Sequence, residues 1–347
     1  MTAQEVLADI LAIVMVVGIA AYATTGGADF GIGFWDLTAG GREKGFALRS
    51  RLERSIGLVW EANHVWLIFV LVVCWTAFPP AFGAIMSTLI VPFFLAAIGI
   101  IMRGSAFAFR GQAATVSQQR FFGAVFATSS VLTPFFLGAA VGAIASGRVP
   151  AGNAQGDIIS SWANPTSVMI GLLAVANGAY LAAVYMTADA QRGNLDDLVE
   201  RMRLRALGAG AVAGVLAVVG LFVIREDARQ LFDGLTGDGL PAVIISAVAG
   251  VTALWLVWTR RVNAARVAAA VAVAAVAAGW ALAQNPDILP GSLSLDEAAG
   301  AEATLGWLLA CVGVGLLILG PSLFYLYRLL LTGSLDKEFK PLGSRED

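Results

Sequence analysis

Histidine occurs once in this 347-residue chain, at position 64. A protein that ligated several haems or a histidine-rich metal centre through its own side chains would need more. Charge is equally scarce. Asp, Glu, Lys and Arg make up 13% of the residues, about half the share of a soluble domain. With 58% of the residues hydrophobic, this excludes an ordinary water-soluble fold and predicts an integral membrane protein. The net charge of −2 argues neither for nor against nucleic acid, since basic residues here are judged by their position across the membrane; no nucleic-acid partner is expected. The two cysteines, Cys74 and Cys311, each lie inside an apolar run, so they read as small buried hydrophobes rather than a disulfide. Lys and Arg are missing altogether from "MTAQEVLADI", whereas a secretory leader opens on a positively charged stretch. The first apolar segment is therefore expected to stay as a spanning helix, although Ala21-Tyr22-Ala23 imitates a cleavage site.

What the chain does have is uninterrupted apolar length. A hydrocarbon core about 30 Å thick takes roughly 20 residues of helix. Nine segments meet that requirement, at about 6–27, 55–77, 81–102, 121–145, 165–188, 206–224, 239–258, 264–283 and 303–327. None alternates in the manner of barrel strands, so the fold class is all-α. The basic residues then sort by parity. Connections 38–54, 103–120, 189–205 and 259–266 and the C-terminal tail hold five, three, four, three and four Lys or Arg. The N-terminus and connections 78–80, 146–164, 225–238 and 284–302 hold none, none, one, two and none. The excess of Lys and Arg on cytoplasmic loops predicts nine spans, with the N-terminus outside and the C-terminus cytoplasmic. One transmembrane domain over 1–347 is expected, as two four-helix bundles plus one extra helix. Gly27/Gly31, Gly138/Gly142 and Gly210/Gly214 are small-xxx-small pairs that let helices approach closely. Pro92 and Pro134 mark expected kinks. The loop 284–302 is acidic and Pro/Gly-punctuated, without an evident site.

Ionisable residues inside a membrane are costly and read first as functional. They concentrate in the first two helices. In "WEANHVWLI", Glu61 and His64 are three residues apart and share a helix face, with Asn63 and Trp60 as a neighbouring pair and Trp66 on the flank. A carboxylate stacked on an imidazole can pass a proton directly or through water. The same pair can also be structural, satisfying itself inside the bundle. In "TTGGADFGIGFWDL", Asp29 falls about 35 Å along a helix counted from Val6, which places it at the cytoplasmic rim. Asp36 follows two turns later on nearly the same face, with Gly33 between them, and reads as an interfacial acid near Arg42 and Lys44. Gly26-Gly27 suggests a bend just before this point. Arg103, closing the third span, is the nearest counter-ion for Glu61 or Asp29, or else an ordinary snorkelling arginine. "GIGFWD" lacks the spacing and the strand-turn-helix setting of a dinucleotide fingerprint.

The stretches "GGADFGIGFWDL", "WEANHVWLI", "TAFPPAF", "MRGSAFAFR", "NPTSVMIG" and "GAYLA", in this order, resemble subunit II of the cytochrome bd quinol oxidase family. The motif match runs from the first helix to Tyr185, and the helix count extends it to the end. The resemblance implies a heterodimer in a bacterial inner membrane with a haem-carrying subunit I. That partner would hold two b-type haems plus a third of d or b type, oxidise quinol and reduce dioxygen to water. The present chain would then bind no cofactor directly. It would stabilise the complex and help line a cytoplasmic proton route. Small single-helix accessory subunits and membrane lipids are further partners the resemblance implies. Carried over, Glu61 stands at the acid of the W-[DE]-x-N motif and Asp29 at the acid of the first motif. Gly26 stands where many members have an acid, and His64 where others have Gln. The histidine, at i+3 from Glu61, is the group that could compensate for the missing acid.

Two other readings remain open at the level of sequence. A proton-coupled secondary transporter also carries intramembrane acids and glycine-interrupted helices. Its binding residues would lie near the midplane on paired broken helices, which this chain does not show. A purely structural oxidase subunit would have the same acids merely satisfied at an interface.

Overall fold

The computed structural model describes residues 2–38, 60–110, 112–113, 115–193 and 195–331. Within them the chain forms α1 (Ala3–Leu37), α2 (Trp60–Ala77), α3 (Pro79–Thr88), α4 (Ile90–Arg110), α5 (Val116–Ala145), α6 (Pro165–Arg192), α7 (Asp196–Asp227), α8 (Arg229–Thr236), α9 (Leu240–Trp258) and α10 (Val262–Gln284). The hairpin β1 (Asp287–Leu289) and β2 (Leu293–Ser294), the single turn α11 (Leu295–Ala298) and α12 (Glu302–Leu331) complete it. Among the described residues, α1, α4, α5, α6, α7, α9, α10 and α12 are long and apolar enough to cross a membrane. The second expected span is represented by α2, apolar over Asn63–Ala77, and residues 55–59 of that span lie outside the described residues.

Two expectations about helix ends need correction. α1 is not interrupted at Gly26-Gly27. It starts on a capping box between Thr2 and Glu5 and runs unbroken to Leu37; Gly27 faces Gly178 and Leu181 of the neighbouring helix, and Gly26 faces the Tyr22 ring one turn back on the same helix. The expected span 81–102 is divided. Pro79 and Pro80 open α3 at its first turn, Leu89 interrupts the helix, and Pro92 sits in the first turn of α4. Pro92 has no N–H to return to the Thr88 carbonyl, so the helix restarts there. α4 then continues to Arg110, which puts Arg103 inside the helix and not at its end. At Pro134, by contrast, α5 continues unbroken.

α1 is the central helix. It packs against α2, α5, α6, α10 and α12, while α4 pairs with α5, α6 with α7, and α9 with α10. One apolar core joins Ile32 and Trp35 of α1 to Tyr180, Leu181 and Val184 of α6 and Val257 of α9. A second joins Leu11 of α1, Val73 of α2, Phe78, Ala140 of α5, Leu289 of the hairpin and Leu305 of α12. The second core lies at the end that carries the N-terminus and the hairpin. There Gly300 N–H donates to the Ala77 carbonyl (2.8 Å) and the Gln4 amide donates to the Gly300 carbonyl (3.0 Å). At the opposite, basic end the Arg205 guanidinium lies over the Trp35 ring and donates to the Thr38 carbonyl (3.1 Å), a cation placed on the C-terminus of α1 where the helix dipole favours it.

Glycine contacts separate the three small-residue pairs. A methyl group at Gly31 would overlap the Gly178 carbonyl of α6, and one at Gly178 would come within 2.7 Å of the Gly27 carbonyl. Gly138 and Gly142 meet Gly171 and Ser167 of α6 equally closely. Of the third pair, Gly210 faces Leu254 and Tyr180 while Gly214 faces open space. Both cysteines are free. Cys74 is buried, but Cys311 is exposed on the outward face of α12, where an apolar side chain needs no protein neighbour.

Candidate functional site

The centre of the polar arrangement is Asp29, 5% exposed, and Arg103, 2% exposed. Arg103 Nη1 donates to Asp29 Oδ2 and Nη2 to Oδ1, both at 2.9 Å. Nη2 also donates to the Asp29 carbonyl at 3.0 Å, and Nε donates to Ser130 Oγ at 3.0 Å. Ser130 passes its own proton back to the Phe126 carbonyl (2.7 Å). The guanidinium carbon lies 5.0 Å from the ring centres of both Phe30 and Phe126. Removing two charges from water costs several kcal/mol per ion. A bidentate fork, two further acceptors and two aromatic faces are what offset that cost here. Gly33 is part of the same construction, since a methyl group there would occupy the place of Ser130 Oγ.

One heptad onward in both helices the pattern repeats. Arg110 Nη1 donates to Asp36 Oδ2 at 2.7 Å, and Asp36 is buried. The offset between partners is 74 residues in both pairs, so α1 and α4 run in the same direction and present acid and arginine in one register. Both acids stand differently from the sequence reading. Asp29, expected at the cytoplasmic rim, is enclosed by protein. Asp36 is tied to Arg110, and Arg42 and Lys44 lie outside the described residues. The helix that carries both acids continues ten residues past Gly27, where the apolar count ends the first span.

His64 projects from α2 toward α1. Its Nδ1 lies 3.3 Å from the Tyr22 hydroxyl. Its ring centre is 6.0 Å from that of Tyr22 and 5.8 Å from that of Phe30. Phe30 thus stands between His64 and Arg103, touching each. Asn63 is buried next to His64, and Trp66 packs edge-on against Phe69. Trp60 and Glu61 occupy the first turn of α2, but their side chains lie outside the described residues. The helix keeps the i, i+3 relation of Glu61 and His64 along its backbone.

Sequence reasoning missed Tyr22, Ser130 and Arg110. Tyr22 is an aromatic in an apolar run and carries no local signal. Arg110 was visible: it repeats the spacing of Asp29 and Asp36 on another helix. As a cofactor ligand His64 fits poorly, with Nδ1 engaged by Tyr22 and one flank covered by Phe30. Among the described residues, no three His, Cys, Asp or Glu side chains gather as a metal site.

Comparison with known proteins identifies the family of the whole chain. The family model for cytochrome bd terminal oxidase subunit II matches residues 7–330. Cytochrome bd ubiquinol oxidase subunit 2 of Bacillus subtilis (strain 168) is 32% identical over 112 residues, a stretch that spans 32% of this chain and 32% of that protein. The structure of bd oxidase from Geobacillus thermodenitrificans superposes with a TM-score of 0.77 at 25% identity, covering 94% of this chain and 99% of that one. A match over nearly the whole length of the fold, together with the apolar helices, makes this chain a member of the cytochrome bd terminal oxidase subunit II family, a multi-pass subunit of an oxidoreductase in the bacterial inner membrane.

Proposed function

We propose that this chain is the haem-free subunit of a bd-type quinol oxidase, assembled with a haem-bearing subunit I that oxidises quinol and reduces dioxygen to water. The chain crosses the membrane nine times in this reading, with α2 completing the second span, the hairpin end outside and the basic end in the cytoplasm. Grouping of the basic residues at the end opposite the N-terminus supports that orientation. Redox chemistry belongs to the partner. What this chain supplies is a rigid wall and a path by which protons consumed in making water reach the partner from the cytoplasm.

The observation that carries this reading is the division of labour among the polar residues. Asp29 is held at both oxygens by Arg103, a closed ion pair whose chemistry is structural. His64 shares a hydrogen bond with the Tyr22 hydroxyl, a contact that can be remade as a proton moves. Glu61, one helical turn before it, is the acid that exchanges with His64, with Asn63 beside them. Asp29 and Arg103 then form the wall of the route, and Asp36 with Arg110 its cytoplasmic mouth.

Glu61→Gln in a complex that still assembles with full haem content is the test. Oxygen consumption with quinol should fall about 10²-fold, the lower range for loss of a positioned acid-base group. Unchanged turnover would leave the chain a purely structural subunit.

A further inference from the structure

We infer that Tyr22 is a positioning residue for His64, and that the missing side chain at position 26 is what allows it to act. The inference rests on the proton-route reading above. Tyr22 and Gly26 lie one turn apart on α1, and a methyl group built on Gly26 would stand 2.7 Å from the Tyr22 ring. The bare glycine is the space into which that ring folds. In that position the ring packs edge-on to Phe30, 6.4 Å between centres, and its hydroxyl reaches His64 Nδ1 on α2. Tyr22 is thereby a polar link between the two helices that carry the acids.

A phenol suits this place for a specific reason. Toward a neutral imidazole it donates its proton to Nδ1, which fixes the tautomer with N–H on Nε2. Toward an imidazolium it rotates and accepts from Nδ1–H. One hydroxyl therefore serves both states of the ring while the imidazole stays in place. In this reading the proton exchanges with the Glu61 turn at Nε2. Among the described residues, the groups acting on His64 include Tyr22 and Asp29 of α1 and Arg103 of α4. Because Asp29 and Arg103 are locked together, Tyr22 is the one of the three free to follow a change in the imidazole.

Tyr22→Phe keeps the ring and its packing and deletes the hydroxyl. Measured on the whole oxidase complex, with haem absorbance confirming assembly, quinol-driven oxygen consumption should fall about 3- to 10-fold, the worth of one hydrogen bond. The quinol KM should stay unchanged, and the solvent deuterium isotope effect on turnover should rise as proton transfer becomes the slower step. Gly26→Ala leaves the hydroxyl in place but pushes the ring away, and should show the same two changes. Adding Gly26→Ala to Tyr22→Phe, or Tyr22→Phe to His64→Gln, should cause no further fall. Wild-type turnover and isotope effect in Tyr22→Phe, with His64→Gln slowed, would overturn the role of Tyr22 and leave the route standing. Wild-type behaviour in His64→Gln and Glu61→Gln alike would remove the route and this inference with it.

Discussion

Arg103 places four of its N–H bonds on three acceptor groups, Asp29 carboxylate, Asp29 carbonyl and Ser130 hydroxyl, and that saturation sets what substitution will do. Arg103→Leu strands a buried carboxylate and should destabilise the complex by about 3–5 kcal/mol, seen as lost haem per unit of purified protein. Adding Asp29→Asn removes the stranded charge and should restore a large part of the loss. If the double variant were no better than the single one, the pair would be dispensable as a pair. Ser130→Ala removes only the acceptor of Nε–H and should cost about 1–3 kcal/mol. The acid and the arginine were each legible in the sequence, because charge in an apolar run is conspicuous. Their pairing was visible only as a possibility, and Ser130 not at all. A serine bonding back to its own helix looks ordinary until the rotation of α5 brings it under a guanidinium.

Helix contacts show where glycine spacing informs and where it misleads. Gly178→Val would force its side chain against the Gly27 carbonyl on α1 and should prevent stable assembly, read as loss of the complex on size-exclusion chromatography. Gly214→Ala faces open space and should lie within about 0.5 kcal/mol of the parent protein. Gly214 belongs to a pair as good in sequence as Gly27/Gly31, which packs on Gly178, so only the packing distinguishes them. Spans were legible to within a few residues at α9 and α10, while α7 begins ten residues before its expected span. They were misread where backbone chemistry decides. Pro92 resets a helix that apolar content would have continued, and α1 extends past its apolar part because Asp29 and Asp36 find partners there. The loop 284–302 gave no site from composition, yet Ser294 and Glu297 form a capping box over α11, a spacing that can be read directly from "SLDE".

Across the whole molecule the two ends differ in what holds them. The hairpin end relies on carboxylates that accept from backbone amides. Asp157 accepts from Ser160 N–H (2.6 Å) and Ile159 N–H (2.9 Å), and Glu297 from Ser294 N–H (3.0 Å). These bonds, foremost with the Ser160 and Ser294 amides, hold both carboxyls below their ordinary values of 3.8 and 4.5. A lowered carboxyl contributes stability above its unfolded value and loses it as pH falls through the folded one. Below about pH 4 the loop 146–164 and the hairpin should therefore loosen first, seen as faster amide exchange there than in α1 or α6. Equal protection at pH 3 and pH 7 would contradict it. The parity of basic loops made the two ends legible from sequence, whereas the caps that secure one of them depend on local turns. The ion pair at the centre also imposes an order of manufacture. Arg103 is synthesised 74 residues after Asp29, and at about 5–20 residues per second the ribosome delivers it roughly 4–15 s later. An unpartnered charge is costly in hydrocarbon, so the last turns of α1 cannot settle at their final depth until α4 arrives. The first helix to be made is thus among the last to finish, and a nascent chain stalled before Arg103 should leave residue 29 accessible to a water-soluble label.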